Sequence, residues 1–566
     1  MINLKQSLVE DIAAGIAAAR SAGELPKTKN EAVVVERTEK AEHGDYASPV
    51  ALTLTKSADK PPLDILDIIA RHMPKKEYVG KLEAVAPGFL NIRLNPGWMT
   101  ARLDDVLEED ICGGVNIGRG KQYNFEFISA NPTGPLTLGN ARTAFSVDSL
   151  ANVLTCAGYN VTREYYINDA GGQIMKLGES ALRRILEGKG EKVDYPEELY
   201  QGEYISEVAT ILAENAKENE GREFTGGDLK DKKLIEELGQ QAADTMMDKI
   251  KKTIAEDLRI KFDVWTSERK LRTSGAVEKV HEKLRDKKMI YEKDGAEYLR
   301  TTKFGDSEDR IFVKSDGEYA YIAPDVAYHQ DKFDRKFDGI FTYVGADHQG
   351  HGSKLRAALE ALGCDVSKLH VVAAQWIGVL RDGKPVKLSK RRGNLYGPGD
   401  LIEEVGYDAA RFFMVQHALT THMDFDINLA KERNERNPVY YAQYAYVRLQ
   451  SILRRAKELG VIEGAGEKIK LTSHGELTHT TELELMRQMY RLPEAITDIA
   501  ASGEAQQLAY YALELARAVH VFYRNVPVIA ADKEEVRMSR LQLVLAARKV
   551  MGQTLDLLGI SKPEVM

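Results

Sequence analysis

Cysteine is scarce in this chain, with three in 566 residues: Cys112, Cys156 and Cys364. That excludes a disulfide scaffold, and the lack of any CxxC pair excludes a zinc site built on paired cysteines, so no metal site is expected. Such usage fits a reducing compartment, most simply the cytoplasm. Long apolar runs are absent too. No stretch approaches the ~18–20 uncharged apolar residues that cross a bilayer, so no membrane span is expected. Residues 1–20 carry Lys5, Glu10 and Asp11, which reads as an amphipathic helix and not a signal peptide. No repeat and no low-complexity tract stands out. No exposed dimer pattern is evident, so a monomer is expected. What is present is globular in kind: 43% hydrophobic and 29% charged residues exclude a disordered chain. Lys+Arg is 78 against Asp+Glu 86, a formal net charge of −8. This does not exclude nucleic acid as a partner, because basic residues can be localised on an acidic protein. The length suggests two to four domains.

Three styles of sequence follow one another. Leu4, Leu8, Ile12 and Ile16 recur at helical spacing, a second helix is expected over 63–73, and 81–94 reads as two short strands around Ala86-Pro87-Gly88. This segment is α+β in pattern, and 103–114 reads as a linker. From Tyr123 the pattern changes to strand (122–129), Pro/Gly-rich loop (130–140), helix (140–157) and strand (161–167), a βαβ unit. The alternation returns at 339–344, 352–362 and 369–374, so a parallel α/β sheet is expected, with a charged helical surface insertion at about 175–260. Beyond about 400 the pattern is helical: 430–459, 481–500 with a kink at Pro493, 506–525 and 533–558. This reads as an all-α bundle.

Three motifs carry chemistry. The loop from Ser129 to Asn140 leaves the carboxyl end of a strand and opens a helix, where parallel sheets bind ligands and a helix N-terminus favours phosphate. Gly139 permits close backbone approach, and Thr137 and Asn140 can donate to phosphoryl or ribose oxygens. The segment 381–392 holds six basic residues against one acid, which suits a polyphosphate leaving group. Its bland alternative is a solvated turn. Val344-Gly345-Ala346-Asp347-His348-Gln349-Gly350-His351 puts polar residues at a second strand end; a spacing of three with one carboxylate is poor evidence for a metal.

These residues resemble a known family. The stretch 131–140 occupies the place of the HIGH signature of class I aminoacyl-tRNA synthetases, and Lys387-Leu388-Ser389-Lys390-Arg391 looks like their KMSKS signature. Ser-Ala-Asn-Pro-Thr-Gly-Pro (129–135), Tyr-Tyr-Ile-Asn-Asp-Ala-Gly (165–171), Gly-Ala-Asp-His (345–348) and Asn-Pro-Val-Tyr-Tyr-Ala-Gln-Tyr-Ala (437–445) narrow the likeness to arginyl-tRNA synthetases, over essentially the whole chain. The resemblance implies an α/β Rossmann-type catalytic domain with a parallel sheet (111–430), an α+β N-terminal domain that contacts the tRNA elbow (1–110), and an all-α C-terminal anticodon-binding bundle (431–566). It implies ATP, with Mg²⁺ on the nucleotide, as cofactors and L-arginine and tRNA(Arg) as partners. By resemblance, Thr137, Gly139, Asn140, Lys387, Ser389 and Lys390 are catalytic. Pro132, Thr133, Gly134, Pro135, Leu138, Asp347, His348 and Leu388 meet ATP. Glu126, Asn131, Tyr321, Asp325 and Gln349 meet arginine, whose guanidinium needs a carboxylate and planar partners. Tyr440, Tyr444, Arg448 and Arg436 face tRNA, where splayed bases can stack on aromatics and arginine; for Tyr440 and Tyr444, core packing is the equal alternative.

One departure stands out. The family usually carries HxGH or HxGN, and this chain reads Thr-Leu-Gly-Asn at 137–140, with no histidine between His72 and His281. The first histidine's support for the α-phosphate must be weaker or taken over by another donor, for which Lys390 is the candidate. Two other classes compete: a non-catalytic tRNA-binding relative, and a synthetase for another amino acid. The retained Lys387, Ser389, Lys390, Asp325 and Gln349 speak against the first, and Asp325 with Tyr321 speaks for a cationic substrate.

Overall fold

Tyr123, Phe125 and Glu126 lie on a short strand whose inner positions are covered on both faces, as expected of a central parallel strand. The computed structural model describes every residue except 28–31, 39, 113, 349, 387–395 and 463–476. It divides into two compact units. One comprises Gly118–Thr155 and Tyr159–Asn437, the other Met1–Ile117, Cys156–Gly158 and Pro438–Met566.

The first of these holds a five-stranded sheet. In chain order its strands are β1 (Gln122–Glu126), β2 (Asn160–Ile167), β3 (Val264–Ser267), β4 (Gly339–Gly345) and β5 (Leu369–Ala374), arranged β5-β4-β1-β2-β3 with every pair parallel. The chain steps outward from β1 to β3, then returns to the other side of β1, so the topological switch point falls between β1 and β4. Helix α1 (Leu138–Cys156) connects β1 to β2. Phe145, Val147, Val153 and Leu154 are buried on it, and so are Arg142 and Ser149. A helix buried on nearly every side shows only a weak apolar stripe, as this one does.

Differences from the sequence pattern have local causes. The strand expected over 122–129 stops at Glu126, because Ile128 and Ser129 take positive φ values of 65° and 37° and turn the chain. The expected linker contains a helix, Leu103–Glu108. The charged stretch at 175–260 is a packed layer: helices Gly172–Gly188 and Lys232–Lys252 bury Leu177, Leu182, Leu238 and Met246. An antiparallel sheet of Ile290–Lys293, Ala296–Leu299 and Arg310–Val313 follows, without having been foreseen.

The other unit combines both chain ends. A four-stranded antiparallel sheet (Glu36–Arg37, Tyr46–Ser48, Phe89–Leu94, Val79–Val85) packs with helices Leu4–Ser21, Val50–Ala58 and Pro62–His72. Helices Pro438–Glu458, Thr480–Tyr490, Leu492–Ser502, Gln506–Asn525 and Glu534–Leu558 form the bundle. The expected helix 430–459 is interrupted: Ile427–Lys431 ends before Pro438 starts a new helix at its N-terminal position, where proline needs no N–H partner. The kink expected at Pro493 is a full break at Arg491 for the same reason. Within this unit Glu494, 2% exposed, accepts from Arg37 Nε at 2.9 Å and from the Tyr46 hydroxyl. Cys112 and Cys156, 44 residues apart in sequence, are joined as a disulfide. No described helix is long and apolar enough to cross a membrane.

Candidate active site

Open parallel sheets bind ligands outside the carboxyl ends of their strands at the switch point. Here that crevice is bordered by the loop after β1 and by the turn Ala346–His348 after β4. Ser129 N–H donates to Phe127 O at 2.9 Å, closing a three-residue turn on Ile128. Positive φ on a β-branched residue is costly and marks a backbone held by its surroundings. The turn has a use. It brings Ser129 Oγ to Glu126 Oε1 at 3.2 Å, and the same hydroxyl accepts the Tyr166 N–H at 3.1 Å. The Tyr165 hydroxyl then donates to Ala130 O at 2.9 Å, fixing the loop onto β2.

Glu126 ends β1 almost fully buried, and register pairs it with Thr342 on β4. Its Oε2 receives Lys332 Nζ at 2.6 Å and Thr342 Oγ1 at 3.2 Å. Lys332 has no exposed surface and lies on helix α3 (Ile322–Asp334) with its ammonium 4.3 Å from the Tyr328 ring centre. A buried carboxylate needs such a partner, since an unpaired charge is strongly destabilising there. His329 Nδ1–H donates to Asp325 O at 2.9 Å on the same helix.

Asp325 belongs to the first turn of α3, behind Tyr321, whose side chain is exposed. Across from it, helix α2 (Glu268–Thr273) begins directly after β3. Asp169 holds that junction by accepting from Ser267 Oγ at 2.7 Å and from the Arg269 N–H at 2.9 Å. The result is a buried Glu268 in the field of Asp325. Burial raises the Glu268 carboxyl above its ordinary value; Arg272, bonded to it at 2.7 Å, opposes this, and Asp325 adds to it. The buried Tyr166 hydroxyl is pushed up by burial and then by the charges of Glu268, Asp325 and Glu126. Two carboxylates beside two tyrosines are a donor set suited to a planar cation.

At the start of α1, Thr137 N–H and Thr137 Oγ1 both donate to Asn140 Oδ1 at 2.9 Å, and the Asn140 N–H donates to Thr137 Oγ1 at 3.3 Å. One turn on, Arg142 binds four main-chain carbonyls, Gln375, Trp376, Ala418 and Thr421, at 2.6–3.0 Å. With no carboxylate beside it among the described residues, burial pulls its guanidinium down to about 10.

Three family models match along the chain. The description "tRNA synthetases class I (R), catalytic domain" matches residues 102–418, "Arginyl tRNA synthetase N terminal domain" matches 6–94, and "DALR anticodon binding domain" matches 442–566. The chain is 39% identical over 566 residues to the Arginine--tRNA ligase of Bacillus subtilis (strain 168), covering 100% of this chain and 99% of the relative. It is 40% identical over 565 residues to that of Carboxydothermus hydrogenoformans, covering 100% of both. The chain belongs to the arginyl-tRNA synthetase family. Its fold is that of the Thermus thermophilus arginyl-tRNA synthetase structure, with a TM-score of 0.76 at 23% identity over 100% of each chain.

Against the residues expected of an arginyl-tRNA synthetase, the loop residues Asn131, Pro132, Thr133, Gly134, Pro135, Thr137, Leu138, Gly139 and Asn140 border one side of the crevice, and Asp347 and His348 lie in the turn on the other. Glu126, Tyr321 and Asp325 come to the same end of the sheet. Gln349, Lys387, Leu388, Ser389 and Lys390 lie outside the described residues. In the bundle, Tyr440 and Tyr444 stack with ring centres 5.7 Å apart, and Arg448 lies 4.6 Å over Tyr444 and 4.8 Å over Tyr523. Arg448 Nη1 donates to His520 Nδ1 at 2.9 Å, so the ladder is partly internal packing. Arg436 lies exposed, paired with Glu432 at 3.4 Å.

Three residues that the structure brings to this region went unmarked in the sequence reading. Lys332 follows Asp325 by seven residues, a same-face helical spacing that could have flagged it. Arg142 is a charge on an otherwise apolar helix arc, a visible anomaly. Glu268 had no local signal, because only the order of strands places it beside Asp325.

Proposed function

We propose that this chain activates L-arginine with ATP and transfers it to the terminal adenosine of tRNA(Arg), with the guanidinium held between Asp325 and Glu268. The observation that carries this reading is that pair of carboxylates beside Tyr166 and Tyr321, at the same sheet end as the buried Glu126. A guanidinium adds a second cation beside Glu268, which Arg272 already pairs at 2.7 Å, and brings one to Asp325, whereas an anionic side chain would be repelled by both acids.

Glu126 then meets the α-ammonium. Oε2 already receives two donors, Lys332 and Thr342, and Oε1 receives one, Ser129 Oγ, so the ammonium approaches the acceptor site left on Oε1, and Asn131 orients the carboxylate. That carboxylate is already an anion at neutral pH and attacks the ATP α-phosphate without a general base. Positioning and charge stabilisation supply the catalysis. The loop 132–140 and the turn with Asp347 and His348 hold the nucleotide. The donors on the described loop are neutral, and Mg²⁺ carried on the ATP phosphates would offset the charge that these donors leave. Lys387, Ser389 and Lys390 stabilise the departing pyrophosphate. Three segments divide the labour: 1–110 contacts the tRNA elbow, 111–430 performs both chemical steps, and 431–566 reads the anticodon with Tyr440, Tyr444, Arg448 and nearby Arg436. The chain works as a monomer in the cytoplasm, where its tRNA is.

The test is arginine-dependent ATP–pyrophosphate exchange with and without tRNA(Arg). Exchange is expected with arginine and not with lysine or glutamine, and Asp325→Asn should raise the KM for arginine by about 10²-fold, the scale of a lost charge-assisted contact of about 3 kcal/mol. No exchange under either condition would favour a tRNA-binding protein without catalysis.

A further inference from the structure

We infer that Thr137 is a positioning residue, acting on the nucleotide only through Asn140. A main-chain N–H only donates, so the Asn140 atom 2.9 Å from the Thr137 N–H must be the amide oxygen. That fixes which way the Asn140 amide faces: Oδ1 lies toward Thr137, and Nδ2 lies away from it, at the end of α1 that meets the carboxyl edge of the sheet. The Thr137 hydroxyl is committed in the same way. Its oxygen accepts the Asn140 N–H at 3.3 Å, and its single proton goes to Asn140 Oδ1 at 2.9 Å. A threonine so engaged has no proton for a phosphate oxygen. Asn140 Oδ1, receiving two donors, is polarised, and its Nδ2–H₂ group is the stronger donor for it.

This explains how Thr-Leu-Gly-Asn works where relatives carry a histidine first. A histidine there would itself reach toward phosphate. In this chain the first residue locks the fourth, and one amide group carries the donor function for the pair. The inference rests on the reading of Asn140 as a nucleotide contact.

The experiment is a double-mutant cycle on the full chain, read as kcat and KM for ATP in arginine-dependent pyrophosphate exchange with tRNA(Arg) present. Asn140→Ala is expected to lower kcat/KM for ATP by about 10²-fold, the scale of one lost charge-stabilising donor. Thr137→Val, which keeps the shape and removes the hydroxyl, is expected to cost about 10-fold, and Thr137→Ser should restore the rate to within about twofold. The double variant Thr137→Val/Asn140→Ala should match Asn140→Ala alone, because the hydroxyl then has nothing to orient. If Thr137→Val costs its full factor again in the Asn140→Ala background, Thr137 touches the nucleotide itself and the inference fails. If Thr137→Val lowers the melting temperature and leaves both kinetic constants unchanged, Thr137 is a helix cap only, and the inference fails in that way. Should Asn140→Ala keep full activity, the assignment of Asn140 to the nucleotide is what has failed, an outcome distinct from both.

Discussion

Glu268 sits at the first turn of α2 with its carboxyl raised by burial and by Asp325, against the pull of Arg272. Above its raised value Glu268 is an anion and attracts a guanidinium; as pH falls toward the ordinary 4.5 it takes up a proton early and that attraction is lost. The KM for arginine is therefore expected to climb on acidification, beginning above the usual carboxylate range. Glu268→Gln should raise the KM at neutral pH by about 10-fold or more and flatten that climb, since a neutral amide has no proton to take up. Arginine KM measured between pH 5 and 8 for both proteins, at constant ionic strength, checks this; an unchanged slope in the variant would sink it. At this scale the sequence was informative where a motif is contiguous. Asp325 and Tyr321 could be nominated together from one stretch of nine residues, whereas Glu268 could not be set beside them, because residues on separate strands become neighbours only when the sheet forms.

Helices Gly172–Gly188 and Lys232–Lys252 cross with glycine on both sides. A Cβ on Gly178 would collide with the Ile235 carbonyl, and one on Gly239 with the Ile174 carbonyl. Main-chain atoms cannot step aside as a side-chain tip can, so Gly178→Ala must push the helices apart and loosen Leu177, Leu182, Leu238 and Met246. The expected cost is about 3 kcal/mol, typical of overpacking in a close-packed interior. Thermal melting followed by circular dichroism should show an early loss for Gly178→Ala and for Gly239→Ala, and none for Gly188→Ala, where a Cβ meets open space. Helices were legible in the sequence when they are amphipathic and carry end signals. Gln506–Asn525 matches its expected bounds, and Glu534–Leu558 ends on Gly559 with a φ of 72°. Charge content was misleading for the 175–260 layer, because charged outer faces hide the buried stripe and the paired glycines that join the helices.

For the molecule as a whole, both ends of the chain share one compact unit, with Glu494 bonded to Arg37 and Tyr46 across more than four hundred residues of sequence. The disulfide of Cys112 with Cys156 belongs to the same unit. Denatured without reductant, the chain should expose one thiol, that of Cys364, and all three after reduction. Reduction should also lower stability, by up to about 4 kcal/mol on chain entropy for a loop of 44 residues. Three thiols in both titrations would show the pair to be reduced in solution, as cysteine scarcity alone suggests. Local pattern determined what depends on neighbours along the chain: the βαβ alternation, the helical C-terminal third, and the loop that opens α1. Only the tertiary structure decided what depends on distance through space. It chose the strand order that puts the switch point between β1 and β4, the Lys332 that compensates Glu126, the Glu268 that faces Asp325, and the joining of the two ends. Pairing, burial and charge compensation act between atoms that meet, and a sequence records the order of residues without recording which of them meet.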